Sequence, residues 1–333
     1  MYIKDVLFEL SRLDGPAGFE NKITDYIIEL TLDFVDEAKK DEMGNLILFK
    51  KGNKNGEKIL LEAHVDEIGL VISKRIEGNF MAFSTDGGVD PKILPGQRVR
   101  FTNRKGERIK GVVGYLSPHF RRNVEKLRMD DLFIDFGIQD VEIEVGDVGV
   151  IDVEPVELNG DLVSGKAFDN RASCAILIDL LRRLKNVVLN LDLYALFAVR
   201  EEFGSSGAVG AVYGIRPNCA IVFDVTHADV KDPTLSDVRL GKGPVFSHGT
   251  VVDGELLREF EEIANSSGIP FQREAVPGRS GTDTDLIQLV RDGVKTMLIS
   301  IPLRYMHTPT EVLSLKDLNL TVRLMTEFLM RKG

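Results

Sequence analysis

Apolar residues recur at spacings of three and four over residues 5–13 and again over 20–32, which predicts two helices, each with one buried face. The Gly15-Pro16-Ala17-Gly18 run breaks the pattern between them and predicts a turn. Residues 45–50 and 58–64 are short runs of strand formers joined by the turn-like Gly52-Asn53-Lys54-Asn55-Gly56, so a hairpin is expected there. From about Gly69 to Asn159 the texture changes to brief alternating runs punctuated by Gly, Pro and Asp, with almost no helical period. This stretch predicts a small all-β module, barrel-like or sandwich-like. Beyond it, helical spacing at 172–185, 204–213, 255–266, 285–292 and 315–331 alternates with strand-like runs at 189–200, 219–225, 271–275 and 295–301. Such alternation implies an α/β class, with a three-layer α/β/α domain. Helix-bearing segments flank the β module on both sides. The expected architecture is therefore one discontinuous α/β/α domain over residues 1–68 and 160–333, interrupted by an inserted, barrel-like all-β domain over residues 69–159.

Composition narrows the function classes. The chain has 333 residues, 43% of them hydrophobic, enough for a sizeable core in about two domains. Its formal charge of −10 argues against a broad nucleic-acid or anionic-membrane footprint. One short basic cluster, Arg121, Arg122, Lys126 and Arg128, reads as a solvated face. The two cysteines, Cys174 and Cys219, sit in apolar surroundings, as small buried residues do, so no disulfide framework is expected. The N-terminal segment is amphipathic and acid-bearing, unlike a signal peptide, and no apolar run approaches the ~20 residues that span a bilayer. Together these features lead to an expectation of a cytoplasmic location.

Five segments place His or carboxylates directly after apolar strand-like runs, where an α/β domain presents functional groups. They are LLEAHVDEIG, GKAFDNRAS, ALFAVREEFGSSG, AIVFDVTHAD and LISIPLRYMHTP. Any one of them could be a strand-end cap. Taken together, two imidazoles and several carboxylates without a cysteine suit a pair of Zn²⁺, Co²⁺ or Mn²⁺ ions. These motifs, in the order AHVDEIG, REEFGSSGA, DVTHAD, GTDTD and IPLRYMHTPTEV, resemble the dinuclear-metal aminopeptidases that include the tetrahedral, dodecameric leucyl and glutamyl enzymes. That family is sometimes labelled endoglucanase or cellulase M. The resemblance runs from the first helix to the last and includes DLFIDFG inside the β module.

The resemblance implies two divalent metal ions per subunit, Zn²⁺ or Co²⁺ first and Mn²⁺ as a further candidate. It assigns one ion to His64, Asp169 and Asp224 and the other to Asp169, Glu202 and His307, with Asp169 bridging. Asp66 matches the acid that orients the His64 imidazole, and Glu201 the general base acting on a metal-activated water. A cis peptide between Asp169 and Asn170 is also implied. Gly281, Thr282 and Asp283 fall where the family's substrate loop lies, although Thr282 or Thr284 would equally serve as a helix cap. His227 is expected beside the metal site rather than on it, and His119 and His248 have no assigned role. The implied substrates are short peptides with a free N-terminus. The implied assembly is a homo-oligomer, from dimer to tetrahedral dodecamer, with neither a nucleic-acid nor a membrane partner. The inserted module would serve oligomerisation and pocket shape.

Three other readings use the same residues. A glycosidase needs two carboxylates but has no use for His64 and His307, and the chain lacks Trp. A dinuclear carboxypeptidase or deacylase on a similar scaffold differs in accepting blocked N-termini. A peptide-binding protein without turnover would be expected to lack a base or a bridging ligand, and every such position is filled.

Overall fold

A computed structural model describes residues 2–53, 56–116, 119, 126–230 and 236–332. Arg121 and Arg122 of the basic cluster lie outside them, and Lys126 and Arg128 are exposed. The chain opens with α1 (Tyr2–Arg12) and α2 (Asn21–Thr31), then β1 (Glu37–Lys40), β2 (Leu46–Lys50) and β3 (Lys58–His64). Six strands follow: β4 (Gly69–Glu77), β5 (Phe80–Asp86), β6 (Arg98–Thr102), β7 (Arg108–Tyr115), β8 (Leu132–Asp135) and β9 (Val148–Ile151). They close into an antiparallel barrel in the order β4-β5-β8-β7-β6-β9, filled by residues such as Leu70, Phe101 and Ile134. The short strands β10 (Val156–Glu157) and β11 (Leu162–Gly165) lead to α3 (Phe168–Arg183), β12 (Asp192–Ala198), α4 (Gly207–Ile215) and β13 (Cys219–His227). The chain ends with β14 (Val245–Gly249), α5 (Gly254–Ser266), β15 (Gln272–Val276), α6 (Thr284–Ile287), β16 (Lys295–Leu303), β17 (Glu311–Ser314) and α7 (Leu315–Lys332).

Eight strands form one mixed sheet, ordered β1-β2-β12-β3-β13-β16-β14-β15, with β12, β3, β13 and β16 running parallel at its centre. Because side chains alternate along a strand, each central strand feeds two cores. Ile59, Leu61, Leu193, Phe197, Ile221, Phe223 and Ile299 meet α1, α3, α5 and α7 on one face. Leu60, Leu196, Ala220, Val222 and Leu298 meet α4 and α6 on the other. The result is the expected three-layer α/β/α arrangement, with the closed β barrel set into the chain between β3 and α3.

The expected hairpin between 45–50 and 58–64 does not form. Strand β12 lies between β2 and β3, pairing antiparallel with the first and parallel with the second. Both faces of β3 are buried, so its apolar run matches a central strand better than a hairpin arm. The helix expected over 285–292 is only one turn, continued by i to i+3 bonds from Leu289 N–H to Leu286 O and from Val290 N–H to Ile287 O. Strand β1, Glu-Ala-Lys-Lys, carries no apolar alternation because it is a partly exposed sheet edge.

Barrel and sheet domain meet at a buried ion network. Arg100 of β6 hydrogen-bonds Asp14 and Asp152. Lys166 lies 2.7 Å from Glu67, which is also 3.5 Å from the guanidinium of Arg171. Both cysteines are free and buried. Among the described residues no helix is long and apolar enough to cross a membrane.

Candidate metal centre

On the α4/α6 face, the apolar rows of three strands turn polar toward their carboxyl ends. Leu60 is followed in phase by Glu62 and His64, Val222 by Asp224 and Thr226, and Leu298 by Ser300. The hydrophobic layer is thus replaced by ionisable groups where an open α/β sheet presents its crevice. The loop after β12 adds Glu201 and Glu202, the N-terminus of α3 adds Asp169, and the segment after β16 adds His307. A cavity of about 820 Å³ opens over this cluster.

Asp169 is the centre of the geometry. Its Oδ1 lies 3.2 Å from His64 Nε2, and its Oδ2 lies 3.3 Å from His307 Nε2. Glu202 Oε1 stands 3.2 Å from the same His307 nitrogen, and Asp224 Oδ1 4.0 Å from His64 Nε2. One donor atom from each of His64, Asp169 and Asp224 falls within 4.8 Å of the other two, and the same holds for Asp169, Glu202 and His307. The remaining predicted acid, Glu201, has Oε2 4.0 Å from His64 Nε2, while its Oε1 accepts a 2.9 Å hydrogen bond from Ser205 Oγ.

Two buried carboxylates hold the segments that carry these groups. Asp66, at 0% exposure, accepts the Glu201 N–H on Oδ1 and the Glu202 N–H on Oδ2, both at 3.0 Å, and sits 3.4 Å from His64 Nδ1. Glu311 accepts the Asp169 N–H at 3.1 Å and the His307 N–H at 2.9 Å. Sequence reasoning assigned Asp66 to the imidazole alone and passed over Glu311, although that residue stands in the TPTEV motif four positions after His307. Further restraints come from Glu20, which accepts the N–H of left-handed Arg200, and from Asn45, which bridges Val199 N–H and Gly207 O. Arg171 ties the start of α3 to Val65 O and Leu10 O. The Asp169–Asn170 peptide is cis, as expected. From the barrel side, Gly88 O lies 3.0 Å from His307 Nδ1, so a proton held there leaves Nε2 free as a donor to a metal.

The electrostatics of the cluster call for positive charge. Burial opposes a charged His64, yet Asp169 and Asp66 outweigh it and hold the imidazole pKa well above its ordinary value. His307 is likewise pushed up to about 11 by Asp169 and Glu202, against burial. Burial would raise Asp169, but the two imidazoles keep it below the usual carboxylate range. Burial, reinforced by neighbouring carboxylates, raises Asp224 well above that range and Glu201 to about 8. Asp169 Oδ1 is buried without a hydrogen-bond partner. Both observations fit cations seated between these groups, and imidazole with carboxylate is a donor set that Zn²⁺, Co²⁺ and Mn²⁺ accept.

Gly281 and Thr282 line the cavity. Asp283 is buried instead beside Glu62, and both carboxyls are raised, chiefly by burial. Thr282 Oγ1 accepts the Thr284 N–H at 3.2 Å, as a local turn bond before α6. His227 is exposed at the cavity wall, and His248 lies 3.4 Å from Glu261, away from the cluster.

Two triads of imidazole and carboxylate donors sharing one carboxylate, at the strand ends of an α/β/α sheet, are the arrangement of the metal-dependent hydrolases. The family model of the M42 glutamyl aminopeptidases matches residues 44–324. The chain belongs to that family and is an aminopeptidase. Among its relatives is the lysyl aminopeptidase of Pyrococcus furiosus, 33% identical over 93% of this chain and 92% of the relative. An aminopeptidase structure from Desulfurococcus kamchatkensis superposes with a TM-score of 0.91 at 34% identity, covering 99% of this chain and 94% of that one. The TET1 peptidase of Pyrococcus horikoshii, which can assemble into a tetrahedron or a large octahedral shell, gives 0.89 at 31% identity over 98% and 99%.

Proposed function

We propose that the chain is a dinuclear metallo-aminopeptidase that removes the N-terminal residue of short peptides, with Glu201 as general base. The observation that carries this reading is the divided role of Asp169, whose two oxygens face different imidazoles and so belong to both triads. His64, Asp169 and Asp224 would hold one ion, and Asp169, Glu202 and His307 the other. When bound, Zn²⁺, Co²⁺ or Mn²⁺ supplies Lewis acidity and brings the pKa of a water from 15.7 towards ~7. Glu201 faces the cavity with one oxygen tied to Ser205, which fixes the other for proton transfer. It takes the proton of the attacking water and returns it to the departing amine. Burial pushes the Glu201 carboxyl up in the metal-free chain, and cations bound beside it would bring it back down, which leaves a carboxylate able to take a proton. Asp66 keeps Glu201 and Glu202 aimed by holding their backbone N–H groups.

The same reading extends to organisation. Residues 1–68 and 160–333 form the catalytic domain, and residues 69–159 an inserted domain that shapes the site through Gly88 and serves oligomerisation. Assembly of the horikoshii relative into closed shells supports a homo-oligomer, from dimer to dodecamer. A cytoplasmic location goes with two unpaired cysteines. Free-amine and N-acetylated peptides, presented to chelated protein reloaded separately with Zn²⁺, Co²⁺ and Mn²⁺, test the proposal. Activity should disappear on chelation, return with at least one metal, and be confined to free amines. Activity that survives exhaustive chelation, or equal cleavage of acetylated peptides, refutes it.

A further inference from the structure

The cavity continues from the metal centre across the sheet towards its β15 edge, and this extension has chemistry of its own. Ser247 of β14 and Glu274 of β15 are opposite one another in a parallel pair, so both stand on the same face, and both line the cavity. Ser247 is 1% exposed and its Oγ has no hydrogen-bond partner. Glu274 is half-buried, with each carboxylate oxygen 2.8 Å from Thr226 Oγ1. Among the described residues no cationic side chain pairs with it. A carboxylate offers about four lone-pair sites and one hydroxyl fills only one of them, so Glu274 keeps most of its accepting capacity.

Position matches reach. Thr226 follows the proposed ligand Asp224 by two residues on β13, a displacement of about 7 Å along the strand. A long side chain entering from the metal centre would cross that distance with its apolar stem against Leu286 and Leu289, which also line the cavity. Its head would meet Glu274 and the unpartnered Ser247 hydroxyl.

We infer that this extension receives the side chain of the substrate's first residue, and that Glu274 with Ser247 selects a cationic one, lysine or arginine. The inference rests on the aminopeptidase reading and deepens it. The cavity wall also carries Arg279, which would favour an acidic residue. Arg279, however, is exposed on the loop between Gly278 and Gly281, whereas Glu274 is set on a strand and tied to Thr226. The fixed charge should decide.

The test uses metal-loaded full-length protein and lysyl-, arginyl-, leucyl- and glutamyl-p-nitroanilide. Lysyl and arginyl substrates should exceed leucyl by about tenfold or more in kcat/KM, the scale of one hydrogen bond to a charged group. Glu274→Gln, which keeps a carbonyl for Thr226, should lower the lysyl-to-leucyl ratio by a similar factor. Independently of any variant, lysine amide should inhibit the wild-type protein more strongly than norleucine amide. Preference for leucyl or glutamyl substrates, or a ratio that Glu274→Gln leaves unmoved, overturns the inference while leaving the aminopeptidase reading intact. Turnover of none of the four would take down that reading, and this inference with it.

Discussion

Replacing Asp66 by Asn separates the positioning of the site from its chemistry. The carboxylate meets three nitrogens: the backbone N–H groups of Glu201 and Glu202 at 3.0 Å, and His64 Nδ1 at 3.4 Å. An asparagine of the same shape keeps one accepting oxygen and turns an NH₂ towards a backbone N–H. The substitution therefore loses at least one hydrogen bond to a charged acceptor, about 1.5–3 kcal/mol, and leaves a buried donor unpaired, about 1–3 kcal/mol. Since Asp66 is completely buried, water cannot repair the loss, and we expect a destabilisation of about 2.5–6 kcal/mol in metal-free protein. The proposed ligand Glu202 is held through this residue and a second, His64, faces it at 3.4 Å, so metal affinity should fall about 10–100-fold. Denaturant melts of chelated protein measure the first effect, and competition against a chromogenic zinc chelator the second. If stability drops while metal affinity stays within twofold of wild type, Asp66 serves folding alone. If neither changes, the hydrogen bonds assigned to it carry no weight.

Glu201→Gln should cut kcat about 10²–10⁴-fold with metal content unchanged, as read by steady-state kinetics beside elemental analysis. Asp169→Asn should instead lower the metal content itself, because the shared carboxylate loses one of its two accepting oxygens. Asp14 carries a pH-dependent share of stability: burial opposes its ionised form, but Arg100, Lys166 and Arg108 outweigh this and hold its pKa below the ordinary value. That share is complete above the unfolded pKa of about 3.9 and is lost as pH falls through the folded one. Asp14→Asn should cost about 3 kcal/mol at pH 7, the low end for breaking a buried pair because Arg100 retains Asp152, with the gap to wild type closing below about pH 4 in denaturant melts. Gly207→Ala would place a Cβ 1.8 Å from Val199 O at the base of the Glu201 loop; a loss of about 1–3 kcal/mol together with reduced kcat/KM is expected.

The sequence by itself determined the layers and the inventory of chemical groups. Continuous apolar runs such as ILLEAH and CAIVFD mark strands buried on both faces, and His64 and Asp224 stand in phase with the apolar rows they extend. That information is local, because alternation and helical spacing depend only on neighbours in the chain. Partnership between distant segments is not local, which is why β12 could enter between β2 and β3 without any mark in the intervening turn. The family resemblance implied a bridging Asp169, and the tertiary structure sets its two oxygens beside imidazoles 243 residues apart in the chain; the structure alone decided that Glu311 braces Asp169 and His307. It also decided that Asp66 holds the Glu201 loop through two backbone N–H groups. The contacts of Asp66 and Glu311 are made by buried carboxylates that must find donors when the layers close, and which donors they meet is set by the packing of whole elements.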